Sequence, residues 1–130
     1  MICIDSDCII DFLKGKENAI KTIEKYKYEL MTTEISVFEI FFGVYIQKEI
    51  NENEIMTAEN FFNSIDVFSF NKECGNISAK ILTNLIKNGK TIEQNDCFIA
   101  AIMKKNRCDK IITRNEKHFS RIEGIKVIGY

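Results

Sequence analysis

The chain has 130 residues, the length of a single domain, with 45% hydrophobic and 28% charged side chains. This composition excludes wholesale disorder, and no apolar stretch approaches the roughly 20 residues of a membrane span. The net charge of −1 excludes a uniformly basic nucleic-acid-binding surface. The charge is uneven, because residues 31–66 hold seven acids and one lysine, whereas residues 104–130 hold eight basic and three acidic residues. A polyanion is therefore expected to approach the second segment.

The first half of the chain alternates strand-like runs with helical segments. In order, we predict a strand over residues 1–5, a helix ending near residue 15, a helix over 17–28, a strand over 30–33 and a helix from 35 to about 47. Asp7 is expected to cap the first of these helices.

The second half continues the alternation. We predict a helix capped by Asn51 or Asn53, a strand over 66–70, a helix from Asn71 to Asn88–Gly89, a helix starting at Asn95 or Asp96, a strand over 110–113, a turn or short helix at 115–121 and a strand over 125–128. This order predicts one α/β domain over residues 1–130, with three α/β/α layers and a parallel sheet of about four or five strands.

The cysteines and the single histidine bear on metals and on the cellular compartment. Five cysteines without a C-x-x-C pair, together with His118 as the only histidine, leave no ligand set for a structural zinc site. Cys3, Cys97 and Cys108 lie in apolar runs and are expected to be small core residues. We therefore predict a reducing compartment, the cytoplasm. We also expect no secretory signal, since no basic leader precedes an apolar run at the start.

Three acidic residues stand where a carboxylate is unusual. Asp5 is the first polar residue after the first strand, at the sheet edge where ligands bind in open parallel sheets. Glu39 lies among apolar neighbours, so its burial would be costly unless it is paired or metal-bound; alternatively it lies on an exposed stripe of its helix. Asp96 begins an apolar helix, where the helix dipole alone also favours an acid.

Carboxylates that converge on one edge repel one another unless a cation neutralises them. Oxygen ligands without histidine or cysteine suit Mg²⁺ or Mn²⁺, and such ions activate water and bind phosphate oxygens. A metal-free nuclease with two histidines as acid and base is excluded, because His118 is alone. We interpret His118 as a turn residue rather than a catalyst.

Four segments, in the same order, resemble the motifs of PIN-domain nucleases: Ile4–Leu13, Ile35–Gly43, Gly89–Ala101 and Ile111–Phe119. Together they cover nearly the whole chain. The length and the closing strand Ile125–Ile128 resemble those of the VapC toxins of toxin–antitoxin pairs.

The resemblance implies an endoribonuclease that depends on Mg²⁺ or Mn²⁺ and hydrolyses RNA phosphodiester bonds. It implies that Asp5, Glu39 and Asp96 are the catalytic residues and the metal ligands. It also implies a homodimer, and a cognate antitoxin that places its C-terminal segment in the groove of the site.

The fourth motif departs from the family pattern. Many relatives carry a further Asp where this chain has Asn115 or, three residues later, His118. We therefore expect one tightly held ion rather than two. Thr113 could orient Asp5 or a water molecule, or it could simply end a strand. Arg114 could hold a phosphate, although an arginine in a turn is more often simply solvated.

Two alternatives stay open at this point. Asp5-Ser6-Asp7 resembles the opening motif of haloacid-dehalogenase-type phosphatases, with Asp5 as nucleophile and Asp7 as acid, although Glu39 has no role there. The second alternative is a PIN-fold module that binds protein or RNA without cutting it.

Overall fold

The computed structural model describes residues 1–130, which form five strands and seven helices. In chain order these are β1 (Ile2–Ile4), α1 (Ser6–Leu13), α2 (Glu17–Tyr26), β2 (Leu30–Thr33), α3 (Glu34–Tyr45), α4 (Glu52–Asn63), β3 (Asp66–Phe68), α5 (Lys72–Lys87), α6 (Gln94–Lys105), β4 (Lys110–Ile112), α7 (Glu116–Phe119) and β5 (Lys126–Ile128).

All five strands are parallel and lie in the order β3-β2-β1-β4-β5. The predicted three-layer α/β/α architecture with a parallel sheet is confirmed. The chain builds the sheet outward from β1 in one direction, through β2 and β3, and then returns to place β4 on the other side of β1. The carboxyl ends of β1 and β4 therefore border the reversal point, which is where open sheets of this kind bind ligands.

The two faces of the sheet each cover one hydrophobic core. Side chains alternate along a strand, so Ile2 and Ile4 point to one face of the sheet and Cys3 to the other. In β4, Ile111 joins the core of Cys3, and Ile112 joins the core of the two isoleucines. This alternation explains why the central strand is buried at every position.

Several predicted helix ends are confirmed by their capping groups. The side chain of Asn51 accepts hydrogen bonds at the start of α4, and that of Asn71 does so at the start of α5. Gly89 follows the end of α5 with a φ of +66°, a left-handed conformation that glycine adopts without a steric cost.

One predicted helix cap and two predicted boundaries are wrong. Asp5, not Asp7, caps α1, because its Oδ1 accepts a hydrogen bond from the backbone N of Ser6. The strand predicted over 66–70 ends at Phe68, because its partner β2 gives way to α3 after Thr33. The helix expected to start at Asn95 or Asp96 starts at Gln94.

The start of α6 is set by the backbone rather than by a polar side chain. The carbonyl of Glu93 accepts from the backbone N of Cys97 and closes the first turn, while the Glu93 side chain makes no capping bond. All five cysteines are buried and free, in line with the reading of Cys3, Cys97 and Cys108 as core residues. None of the helices is both long enough and apolar enough to cross a lipid bilayer.

Candidate active site

Asp5 and Thr113 are brought together because β1 and β4 are neighbours. Asp5 directly follows β1 and Thr113 directly follows β4. Oδ2 of Asp5 accepts a hydrogen bond of 2.9 Å from Oγ1 of Thr113, while its Oδ1 accepts one of 2.8 Å from the backbone N of Ser6. Asp5 is 5% exposed and Thr113 is fully buried, so the orientation of the Asp5 carboxyl group is set by the protein rather than by solvent.

Asp96 reaches the same edge from the first turn of α6. Its Oδ2 accepts a hydrogen bond of 3.0 Å from Nδ2 of Asn115 and lies 2.7 Å from Nδ1 of His118. The backbone N of Asn115 donates to Oγ1 of Thr113 at 2.9 Å. A continuous line of hydrogen bonds therefore joins Asp5 to Asp96 through Thr113 and Asn115.

Glu39 lies in the second turn of α3, the helix that begins where β2 ends. Its Oε1 is buried and has no hydrogen-bond partner. The side chain is half-buried, between the fully buried Ser36 one turn earlier and the exposed Gly43 one turn later. Glu39 therefore lies at the border of the exposed stripe of α3, with one carboxylate oxygen turned inward.

Burial and neighbouring charges shift the pKa values of these carboxyl groups. Burial, then the charge of Asp7 and then that of Glu39 raise the pKa of Asp5 to about 7. Burial and the charge of Asp96 raise the pKa of Glu39, although the side chains of Ser6 and Asn95 oppose the rise. Burial also raises the pKa of Asp96, although its hydrogen bond with His118 opposes the rise. The charge of Glu39 thus acts on Asp5 and the charge of Asp96 acts on Glu39, which is consistent with the three predicted acids lying near one edge of the sheet.

Asp7 belongs to the same group, although the sequence analysis treats it as a helix cap or a phosphatase acid. Its Oδ2 accepts from the backbone N of Arg114 at 2.8 Å and lies 3.2 Å from Oγ1 of Thr113. Its Oδ1 is buried without a partner. The available signal is the spacing Asp5-x-Asp7, which turns a second carboxylate from the first turn of α1 toward the same edge.

His118 is the second functional candidate that sequence reasoning misses. It lies in the short helix α7, and its Nδ1 lies 2.7 Å from Oδ2 of Asp96, a contact that the interpretation as a turn residue does not include. The signal is its position three residues after Asn115, because residues three apart lie on the same side of a helical turn.

Arg114 lies beside this edge of the sheet, and its side chain is already paired with Asp11. Its Nε lies 3.4 Å from Oδ2 of the buried Asp11, which also accepts from Tyr130 Oη at 2.7 Å and pairs with Lys16 Nζ at 2.9 Å. Burial acts to raise the pKa of Asp11, but these hydrogen bonds and cations outweigh it and lower the pKa. Half of the Arg114 side chain is exposed, which leaves it accessible to a ligand.

The donor set fits a hard divalent cation. No group of three or more His, Cys, Asp or Glu side chains is arranged in this structure so that it could hold a metal ion. However, Oε1 of Glu39 and Oδ1 of Asp7 are buried with no partner, an arrangement that is costly for carboxylate oxygens. Mg²⁺ and Mn²⁺ take oxygen ligands, so an ion at this edge would satisfy these atoms and relieve the repulsion among the carboxylates.

The comparisons with known proteins agree with this architecture. The matching chain of a VapBC2 complex from Rickettsia felis, bound to a DNA fragment from its promoter, superposes with a TM-score of 0.88 at 20% identity, covering 100% of this chain and 99% of that one. A DNA-bound VapBC from Salmonella typhimurium gives 0.86 at 19% identity, covering 98% and 96%. VapBC-1 from Haemophilus influenzae gives 0.83 at 24% identity, covering 99% and 98%.

These structural matches concern the fold, since all three identities are low. A search of curated protein sequences found no match. The family model of the PIN domain matches residues 2–125, nearly the whole chain. With its ordered motifs, its VapC-like fold and this match, the chain belongs to the PIN domain family.

Proposed function

We propose that this protein is a Mg²⁺- or Mn²⁺-dependent endoribonuclease that hydrolyses RNA phosphodiester bonds as the toxin of a toxin–antitoxin pair. Proteins of the PIN family are nucleases, which supports a hydrolase that acts on nucleic acid. The observation that carries the metal is the buried, unpartnered Oε1 of Glu39 within a group of mutually repelling carboxylates. The reversal point of an open parallel sheet is where such sheets bind ligands, and a cation bound there would neutralise these carboxylates.

Asp5, Glu39 and Asp96 are the residues proposed to hold the ion and to act in catalysis. A bound Mg²⁺ or Mn²⁺ would activate water and stabilise charge on the phosphate oxygens of the substrate. Thr113 orients Asp5, since its hydroxyl donates to Oδ2, and Asn115 orients Asp96 through its amide. Since Asn115 brings no charge, we propose one tightly held ion.

An antitoxin partner is supported by an apolar groove on the surface, although none of the predicted site residues lines this groove. A groove of about 350 Å³ runs between α1, α3 and α4. Its apolar wall is formed by Ile10, Leu13, Ile40, Val44 and Ala58. The solved complexes named above are VapBC assemblies, and we propose that a cognate antitoxin binds this chain and lays its C-terminal segment in the groove of the site. A homodimer and a cytoplasmic location stay predictions.

An exposed apolar face lies next to this groove. It consists of Phe38, Phe42, Tyr45 and Ile46, which share one side of α3 and are each more than half exposed. Exposed apolar patches of this kind are typical of protein-binding surfaces. The phosphatase alternative has less support, because Asp7, its expected acid, is engaged by the backbone of Arg114 and by Thr113.

Digestion of total RNA tests the proposal directly. Incubation with the purified protein and Mg²⁺ or Mn²⁺ is expected to yield discrete fragments on a denaturing gel, and EDTA is expected to abolish them. Asp96→Asn, which removes one proposed ligand charge and keeps the side-chain shape, is expected to show no fragments.

The outcome against the proposal is equally clear. A folded, metal-replete sample that leaves RNA intact would favour the non-catalytic binding module, and the missing acid of the fourth motif would be the first explanation. Cleavage that persists in EDTA would overturn the metal site.

Arg114→Ala is expected to weaken RNA binding modestly and to reduce its salt dependence. Loss of one phosphate contact lowers the slope of log K against log salt concentration by roughly 0.7 to 1. Binding is measured by fluorescence anisotropy in EDTA, with Asp96→Asn as the common background so that RNA stays intact. Lys110→Ala, an exposed cation at the opposite end of β4, is the matched control and is expected to leave the slope unchanged. An unaltered slope in Arg114→Ala would remove Arg114 from the contact surface.

A further inference from the structure

The contacts of Asp96 are concentrated on one of its two carboxylate oxygens. Nδ2 of Asn115 lies 3.0 Å from Oδ2, and Nδ1 of His118 lies 2.7 Å from the same atom. Oδ1 of Asp96 makes no hydrogen bond. The side chain is therefore held by one oxygen, and the other is free to bind a ligand.

The chemistry of the three groups sets the direction of these bonds. Nδ1 of His118 lies 2.7 Å from Oδ2 of Asp96 and 2.9 Å from Nδ2 of Asn115, so it stands between an acceptor and a donor. An ionised carboxylate can only accept hydrogen bonds, and the tautomer with its proton on Nδ1 is therefore the one that bonds Asp96, the shorter of the two contacts. The amide of Asn115 donates through Nδ2. The imidazole of His118 and the amide of Asn115 thus satisfy Oδ2. Neither group adds a negative charge to an edge that already carries Asp5, Asp7 and Glu39.

The segment that carries both donors is firmly anchored. The backbone N of Asn115 donates to the buried Oγ1 of Thr113, and the carbonyl of Asn115 accepts from the backbone N of His118. Phe119, the next residue, is fully buried in the core under α6. The two donors are therefore fixed relative to the sheet edge before any ligand arrives.

We propose that His118, together with Asn115, is a positioning residue that fixes Oδ2 of Asp96 and presents Oδ1 to the metal ion. The inference rests on the proposed function, since it concerns the same site. A residue that hydrogen-bonds to a metal ligand, without touching the metal itself, fixes the orientation of that ligand. Losing such a residue typically lowers metal affinity by about 10- to 100-fold. These two residues occupy the part of the fourth motif where an additional acid would increase the repulsion.

The test is the affinity for Mn²⁺, measured by isothermal titration calorimetry on the full chain. His118→Ala is expected to weaken binding by about 10- to 100-fold. His118→Asn is expected to restore most of the affinity, because Nδ2 of an asparagine occupies roughly the position of Nδ1 of the imidazole. Lys117→Ala, on the exposed side of α7, is the matched control and is expected to bind Mn²⁺ like the wild type.

Asn115→Ala is measured in parallel. The Asn115 side chain makes no capping bond to α7, so this variant removes a donor to Asp96 without removing a helix cap. A reduced Mn²⁺ affinity supports the proposal even if His118→Ala does not fold. Circular dichroism establishes the fold of each variant.

Three results would overturn the inference. Wild-type affinity in both alanine variants would show that Asp96 needs no positioning, and would leave the proposed function intact. Equal weakening by His118→Asn and His118→Ala would show that hydrogen-bond donation is not the role of this side chain. A wild-type protein that binds no Mn²⁺ would overturn the inference and the proposed metal dependence together.

Discussion

Replacing Asp5 with Asn is expected to lower metal-dependent RNA cleavage by at least about 100-fold, the upper end of the effect of losing an outer partner of a metal site. The same change is expected to stabilise the folded protein at pH 8 by roughly 1 to 3 kcal/mol. Burial and the charges of Asp7 and Glu39 make an ionised Asp5 costly in the metal-free protein. Asn keeps the side-chain shape, can still accept from the backbone N of Ser6, and removes that charge.

Cleavage is measured on total RNA in Mn²⁺, and stability by urea denaturation in EDTA at pH 8. Asp109→Asn makes the same charge change at an exposed position before β4, and is expected to alter neither quantity. Undiminished cleavage by Asp5→Asn would remove Asp5 from the site. Marked destabilisation would show that the carboxylate is structural.

The second large effect is on the pH dependence of stability. In EDTA, the free energy of unfolding of the wild type is expected to fall by roughly 3 kcal/mol between pH 5 and pH 8. The pKa of Asp5 is about 7 in the folded protein and 3.8 for an ordinary aspartate. Between these values the folded state binds more protons than the unfolded state, so stability is lost as the pH rises.

The other carboxyl groups with shifted pKa values do not reverse the expected loss of stability between pH 5 and pH 8. The raised pKa values of Glu39 and Asp96 act in the same sense as that of Asp5. The lowered pKa of Asp11 acts in the opposite sense, but below the ordinary aspartate value and so outside this range. Urea denaturation across the pH series checks the prediction.

Asp5→Asn is the matched control for the pH series. The free energy of unfolding of this variant is expected to fall much less between pH 5 and pH 8 than that of the wild type. A wild-type stability that is flat or rises from pH 5 to pH 8 would contradict a high pKa for Asp5. Saturating Mn²⁺ is expected to restore about 2.7 kcal/mol at pH 8 when its concentration is 100 times the dissociation constant.

The sequence by itself determined the architecture and the order of the strands and helices. Alternating apolar runs and helical periodicities predicted the parallel three-layer fold, because a strand buried on both faces and a half-buried helix leave different patterns. The same patterns put Asp5 after a strand and Asp96 at the start of a helix. Parallel topology sends both positions to one edge, whatever the strand order.

Only the tertiary structure decided which groups touch. The bond between Thr113 and Asp5 joins residues 108 positions apart, and it exists because β4 pairs with β1 rather than with β3. The contacts of Asp96 with Asn115 and His118 depend on how α7 docks against α6. Local periodicity reports which face of an element is buried, but it carries no information on which other element covers that face.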